Sequence, residues 1–127
     1  MATTEPMLDI VANLLSGTEL TIGLLICEPI SCLHDYALSV DQMRAVESAR
    51  LVIQSGAGLE DFMGDALAAC KNVVDASAGL PLLTGDDGEP DPHIWLAPEN
   101  MIAMTRTVET ALAAEYPQYA AQFAEKC

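Results

Sequence analysis

The chain has 127 residues, 51% of them hydrophobic and 5% aromatic, which suits one domain with an aliphatic core. At a mean hydropathy of +0.27 it is too apolar for a disordered segment. A formal net charge of −14 and a pI near 4.1 disfavour nucleic-acid backbones and anionic membrane surfaces and raise the cation concentration around the protein, although an acidic solvated surface does as much without any site.

Residues 2–4 have room for only a short first strand. Residues 6–16 then carry Met7, Ile10, Val11, Leu14 and Leu15 at helical spacing, with Pro6 in the first turn and Gly17 as a stop. Residues 20–27 are apolar and β-branched and predict a buried strand. Their apolar run is far too short to span a bilayer. Ser39 with Gln42 three residues on is a capping box before Met43, Val46 and Ala49. Residues 51–53 predict a second buried strand, ending at Ser55-Gly56. Residues 60–70 predict a helix with Phe62, Met63, Ala66, Leu67 and Cys70 inward, and residues 72–75 a third strand. Residues 79–92 are loop-like, and residues 98–126 are helical with an interruption at Pro117. Apolar runs alternating with helical periods predict an α/β fold: a three-layer lobe with a mostly parallel central sheet flanked by helices. Residues 1–127 form a single domain on this reading. Met1 to Thr4 lead straight into it, without the basic and apolar regions of a signal peptide.

Cys27, Cys32, Cys70 and Cys127 have no zinc-finger spacing. Cys27 and Cys70 are expected as small buried hydrophobes, Cys127 as an exposed thiol, and a Cys27–Cys32 disulfide is open if the protein is exported. Ser31, Ser55 and Ser77 lack the context of an activated nucleophile. Gly56 and Gly58 fit a tight strand-to-helix turn better than a phosphate cradle, since no Walker lysine follows. Glu60 reads as a helix N-terminal charge complementing the macrodipole.

The two histidines are the informative residues. His34 stands before Asp35 and Tyr36, and His93 stands in Asp91-Pro92-His93-Ile94-Trp95-Leu96. Neutral imidazole is the commonest protein nitrogen ligand for metals. The two lie 59 residues apart in sequence (93 − 34). Each follows a predicted strand, and open parallel sheets bind ligands at the carboxyl ends of their strands, so both can reach one sheet edge. Asp35 and Asp91 are candidates to accept a ring N–H and fix the tautomer. Asp91 could equally cap the turn before the long helix. Trp95 is expected to pack against the lobe, and Tyr36 to lie near the site or cover the sheet edge.

The segments Cys32-Leu33-His34-Asp35-Tyr36, Gly56-Ala57-Gly58-Leu59-Glu60 and Asp91-Pro92-His93-Ile94-Trp95-Leu96 resemble the substrate-binding receptors of zinc and manganese ABC importers. The resemblance implies a non-enzymatic, extracytoplasmic protein that captures Zn²⁺ or Mn²⁺ for an ABC permease, with His34 and His93 as metal ligands. Members are bilobed, so it also implies that this chain is the N-terminal lobe with the start of the interlobe helix. Two imidazoles leave a metal short of the usual four ligands, and a lone lobe would leave apolar surface free for homo-oligomer formation. The alternatives are a truncated, self-associating folding module without transport activity and a small metal-dependent hydrolase.

Overall fold

The computed structural model describes residues 1–27, 36–85 and 88–127. The elements run α1 (Glu5–Leu15), α2 (Val40–Ser48), β1 (Val52–Gln54), α3 (Gly64–Ala69), β2 (Val73–Asp75), α4 (Pro98–Glu115) and α5 (Ala120–Ala124), with 3-10 turns at Asp61–Met63, Ile94–Leu96 and Pro117–Tyr119. The capping box forms as the sequence requires. Ser39 Oγ accepts from the Gln42 N–H (3.2 Å), and Gln42 Oε1 accepts from the Ser39 N–H (2.9 Å). Pro117, which has no N–H to donate, follows the end of α4 and opens the turn leading to α5.

β1 and β2 pair in parallel, Val52 with Val73 through Gln54 with Asp75. On the other side of β1, Ala2 forms parallel bridges to both Ile53 and Leu24. The Thr3 N–H donates to Ile53 O (3.0 Å), the Ala2 N–H to Gly23 O and the Leu25 N–H to Ala2 O (both 2.9 Å). The short first segment therefore lies between the 20–26 segment and β1, and all four runs are parallel. This is the α/β lobe with a parallel sheet that the alternation predicts. The 20–27 segment is less regular than a full strand: of its residues only Leu24 forms a ladder bridge.

Two clusters cover the two faces of this sheet. Ile53 joins Met7, Val11, Leu14, Met104, Val108, Leu112 and Phe123 from α1, α4 and α5. Its neighbour Val52 joins Leu25, Ile26, Val46 and Met63, against which Phe62, Ala66, Leu67 and Cys70 pack. Adjacent strand residues point to opposite faces, so Val52 and Ile53 divide the layers between them. Cys27, expected inside, is exposed, because Leu25 and Ile26 take the buried positions beside it. Cys70 is half-buried and Cys127 exposed. The disulfide possibility with Cys32 lies outside the described residues.

Candidate metal centre

His93 is placed by a short chain of local constraints. Pro92 precedes it, and the Asp91 N–H donates to Leu83 O (2.8 Å), tying the stretch back across the loop. His93 is the N-cap of the Ile94–Leu96 3-10 turn, which runs into α4. Ile94 is buried in the core, and its carbonyl accepts from Asn100 Nδ2 (3.0 Å). The backbone under the imidazole is therefore anchored to the core and to the first turn of α4.

The ring itself stands outward, with 59% of the side chain exposed. Asp91 Oδ1 is 2.8 Å from His93 Nδ1 and accepts from the His93 main-chain N–H at 3.0 Å. These two hydrogen bonds, the backbone one first, hold the Asp91 carboxyl below its ordinary range. A proton on Nδ1 satisfies this carboxylate and leaves the Nε2 lone pair unused, which is the tautomer a metal ligand needs. Asp91 Oδ1 thus meets both the ring and the main-chain N–H of His93, at the entry to the 3-10 turn that precedes α4. The Trp95 ring lies 5.5 Å from the imidazole, tilted 55°, and is partly buried against the core. Pro81, Leu83, Leu96, Ala97 and Asn100 complete a cleft of about 290 Å³ around His93 and Asp91.

His34 and Asp35 lie outside the described residues. The chain on either side of residues 28–35 is described, and one side chain joins the two sides. Gln42 Nε2 donates to Leu25 O (2.9 Å) and to the Tyr36 hydroxyl (2.7 Å). The Tyr36 ring meets the Phe62 ring edge-on at 5.8 Å. Among the described residues, no group of three His, Cys, Asp or Glu side chains is arranged to hold a metal ion.

Glu60 overturns its reading as a helix-end charge. It is 3% exposed. Its Oε1 accepts from Thr3 Oγ1 (2.6 Å) and the Ser55 N–H (2.8 Å), and its Oε2 from the Gly56 N–H (3.0 Å). Burial raises its pKa against the opposing pull of these donors. The carboxylate clamps the carboxyl ends of β1 and the first segment together. Gly56 makes the turn possible: its φ is +84°, and a Cβ there would fall 1.9 Å from Asp75 Oδ1, a position open only to glycine. Sequence reasoning missed both this clamp and the second use of Gln42. The partners of Gln42 at Leu25 and of Glu60 at Thr3 are 17 and 57 residues away in sequence, and no local pattern signals them.

A sequence family described as zinc-uptake complex component A, periplasmic, matches residues 1–127. The chain belongs to this family. The iron-binding protein YfeA of Yersinia pestis is 26% identical over 126 residues, covering 94% of this chain and 40% of its own. A manganese-bound periplasmic metal-binding protein of Candidatus Liberibacter asiaticus superposes with a TM-score of 0.86 at 22% identity, over 98% of this chain and 48% of that one. Zinc-bound AdcA of Streptococcus pneumoniae gives a TM-score of 0.85 at 23% identity, over 98% of this chain and 28% of that one. At these identities the two structures establish the fold, a lobe of the periplasmic metal-binding receptors. The chain spans less than half the length of each of these relatives. The family expected from the three motif segments and the α/β fold expected from the alternation of apolar runs and helical periods are both met.

Proposed function

We propose that the chain is the N-terminal metal-binding lobe of a receptor that captures Zn²⁺ or Mn²⁺ outside the cytoplasm and delivers it to an ABC permease, without catalysis. His34 and His93 are the ligands this lobe contributes. Asp91 holds the His93 ring, and Asp35, the residue after His34 in the sequence, is the candidate for the same task there. The observation that carries the reading is the pose of His93: outward-facing on an anchored turn, its Nδ1 engaged by a carboxylate and its Nε2 without a partner among the described residues. The family match and the metals named for the Liberibacter and Streptococcus proteins support the cargo.

Two imidazoles alone leave zinc under-coordinated. The lobe by itself therefore binds weakly, with solvent in the open positions, and the remaining ligands come from outside residues 1–127. Isothermal titration of the chain, His34→Ala and His93→Ala with zinc tests the assignment. Each substitution abolishes or strongly weakens binding; wild-type binding in both variants refutes it.

A further inference from the structure

We propose, resting on His93 as a metal ligand, that Asn100 is a further residue of the metal site: its side-chain oxygen accepts a hydrogen bond from a water on the captured ion. Asn100 is the third residue of α4, is half-buried and lines the same cleft as His93 and Asp91. The two ends of its amide are not interchangeable. Nδ2 donates to Ile94 O (3.0 Å). A carbonyl only accepts, so the nitrogen must face Ile94 and the oxygen must be the end left over. Oδ1 has no partner among the described residues.

Anchoring alone does not call for this side chain. Ile94 O also receives the Ala97 N–H (3.4 Å), and Ile94 is 6% exposed within the core. Nor does Asn100 cap its helix. The N-cap of α4, Ala97, has no side-chain cap bond, and the Asn100 donor runs backward to the residue after His93. What remains is an oriented acceptor on a wall of the cleft that holds the imidazole.

An ion that takes too few protein ligands keeps water in its open positions. Water on a divalent cation is polarised and loses its proton far more readily than bulk water, so it is a strong donor. A fixed amide oxygen receives it at a small cost in immobilised water. Asp91 Oδ1 is engaged by the ring and main chain of His93. The two side chains thus divide the work: Asp91 holds the ligand and Asn100 holds the hydration shell. Partners beyond the ligands are typically worth 10- to 100-fold in metal affinity, and a half-buried one falls at the low end, about tenfold.

Two substitutions separate the acceptor from the anchor. Asn100→Asp keeps an oxygen acceptor of the same reach and loses the donor to Ile94 O, whereas Asn100→Ala loses both. Thr110→Asp, exposed on the same helix ten residues on (110 − 100), adds the same charge away from the cleft and reads the effect of charge alone.

The intact chain is titrated with zinc chloride against a chelating dye, with circular dichroism to confirm the fold and NMR of the His93 ring and the Asn100 side-chain amide. In the wild type both signals move with one midpoint. Asn100→Ala keeps its fold and its apparent Kd rises about tenfold. Asn100→Asp, corrected by the Thr110→Asp result, binds at least as tightly as the wild type. A corrected Asn100→Asp as weak as Asn100→Ala overturns the acceptor role and leaves only an anchor. A wild-type Kd in Asn100→Ala overturns it as well. If the variants do not fold, the wild-type amide decides: one that stays still while the His93 ring saturates overturns the role of Asn100. A His93 ring that does not respond to zinc overturns the ligand reading, and Asn100 with it.

Discussion

Removing the Asp91 carboxylate is expected to weaken zinc binding by releasing the His93 ring. In the native chain one oxygen, Oδ1, receives both the main-chain N–H and Nδ1 of His93. Asp91→Ala deletes both contacts, so the ring turns freely and a proton held on Nδ1 can move to Nε2, the nitrogen proposed to meet the metal. Exchanging such a partner typically costs 10- to 100-fold in metal affinity. The Asp91 and His93 side chains are 46% and 59% exposed, and water competes for both, so the loss falls at the low end, about tenfold. Asp91→Asn keeps a carbonyl oxygen that can accept the same two bonds without the charge. Charged hydrogen bonds are roughly twice as strong as neutral ones, so about half the effect on a logarithmic scale remains, roughly threefold. Competition against a chelating dye at neutral pH measures both variants, with circular dichroism to confirm the fold. An Asp91→Ala affinity within about twofold of wild type, well short of the expected range, refutes the ring-holding role.

Two further predictions concern the scaffold. Phe123 is fully buried between α5 and the rest of its cluster, 6.1 Å from the Tyr119 ring; Phe123→Ala is expected to cost about 3–5 kcal/mol, read as a Tm lower by about 10–20 °C. A loss under about 1 kcal/mol would mean that α5 is not integral to the core. Glu60 has a folded pKa above its ordinary 4.5 because of burial, so the folded state retains a proton that the unfolded state releases. Its contribution is most favourable below pH 4.5 and declines as pH rises through the folded pKa. Urea denaturation across pH 4–8 should show wild-type stability falling relative to Glu60→Gln as pH increases. A constant difference between the two over that range counts against the buried, charged carboxylate.

Much of the architecture is written in local pattern. The apolar runs at β1 and β2 read as a parallel sheet, in which β1 is covered on both faces and β2 leaves Val73 exposed, and Ser39 with Gln42 marks the start of α2 in the sequence itself. The Asp91–His93 pair is also local, since two residues and a 3-10 turn suffice to bring carboxylate to ring. What the sequence does not display are bonds whose partners meet only after folding. The acidity of Glu60 suggests a helix end until Thr3, 57 residues earlier, delivers its hydroxyl. The apolar character of Cys27 suggests burial, but the segment regularises only at Leu24, and Leu25 and Ile26 take the inward positions. Pairing His34 with His93 at one sheet edge is likewise a tertiary inference; the described residues establish the pose of His93 and the tether between the two sides of the His34 segment.

The end of α1 has a consequence for the order in which the lobe can form. Gln122 Nε2 donates to Ser16 O at 3.1 Å, and Lys126 Nζ reaches the carbonyls of Leu14 and Ser16. The last turn of a helix leaves carbonyls without internal partners, and here groups 106 to 112 residues downstream help supply them. During vectorial synthesis α1 therefore emerges early but is completed late. Leu15 O is met locally by the N–H and hydroxyl of Thr18, but the outside partners of the Leu14 and Ser16 carbonyls arrive only with residues 122–126. Contacts of such sequence separation slow folding, and loss of residues 120–127 would remove these partners of the Leu14 and Ser16 carbonyls.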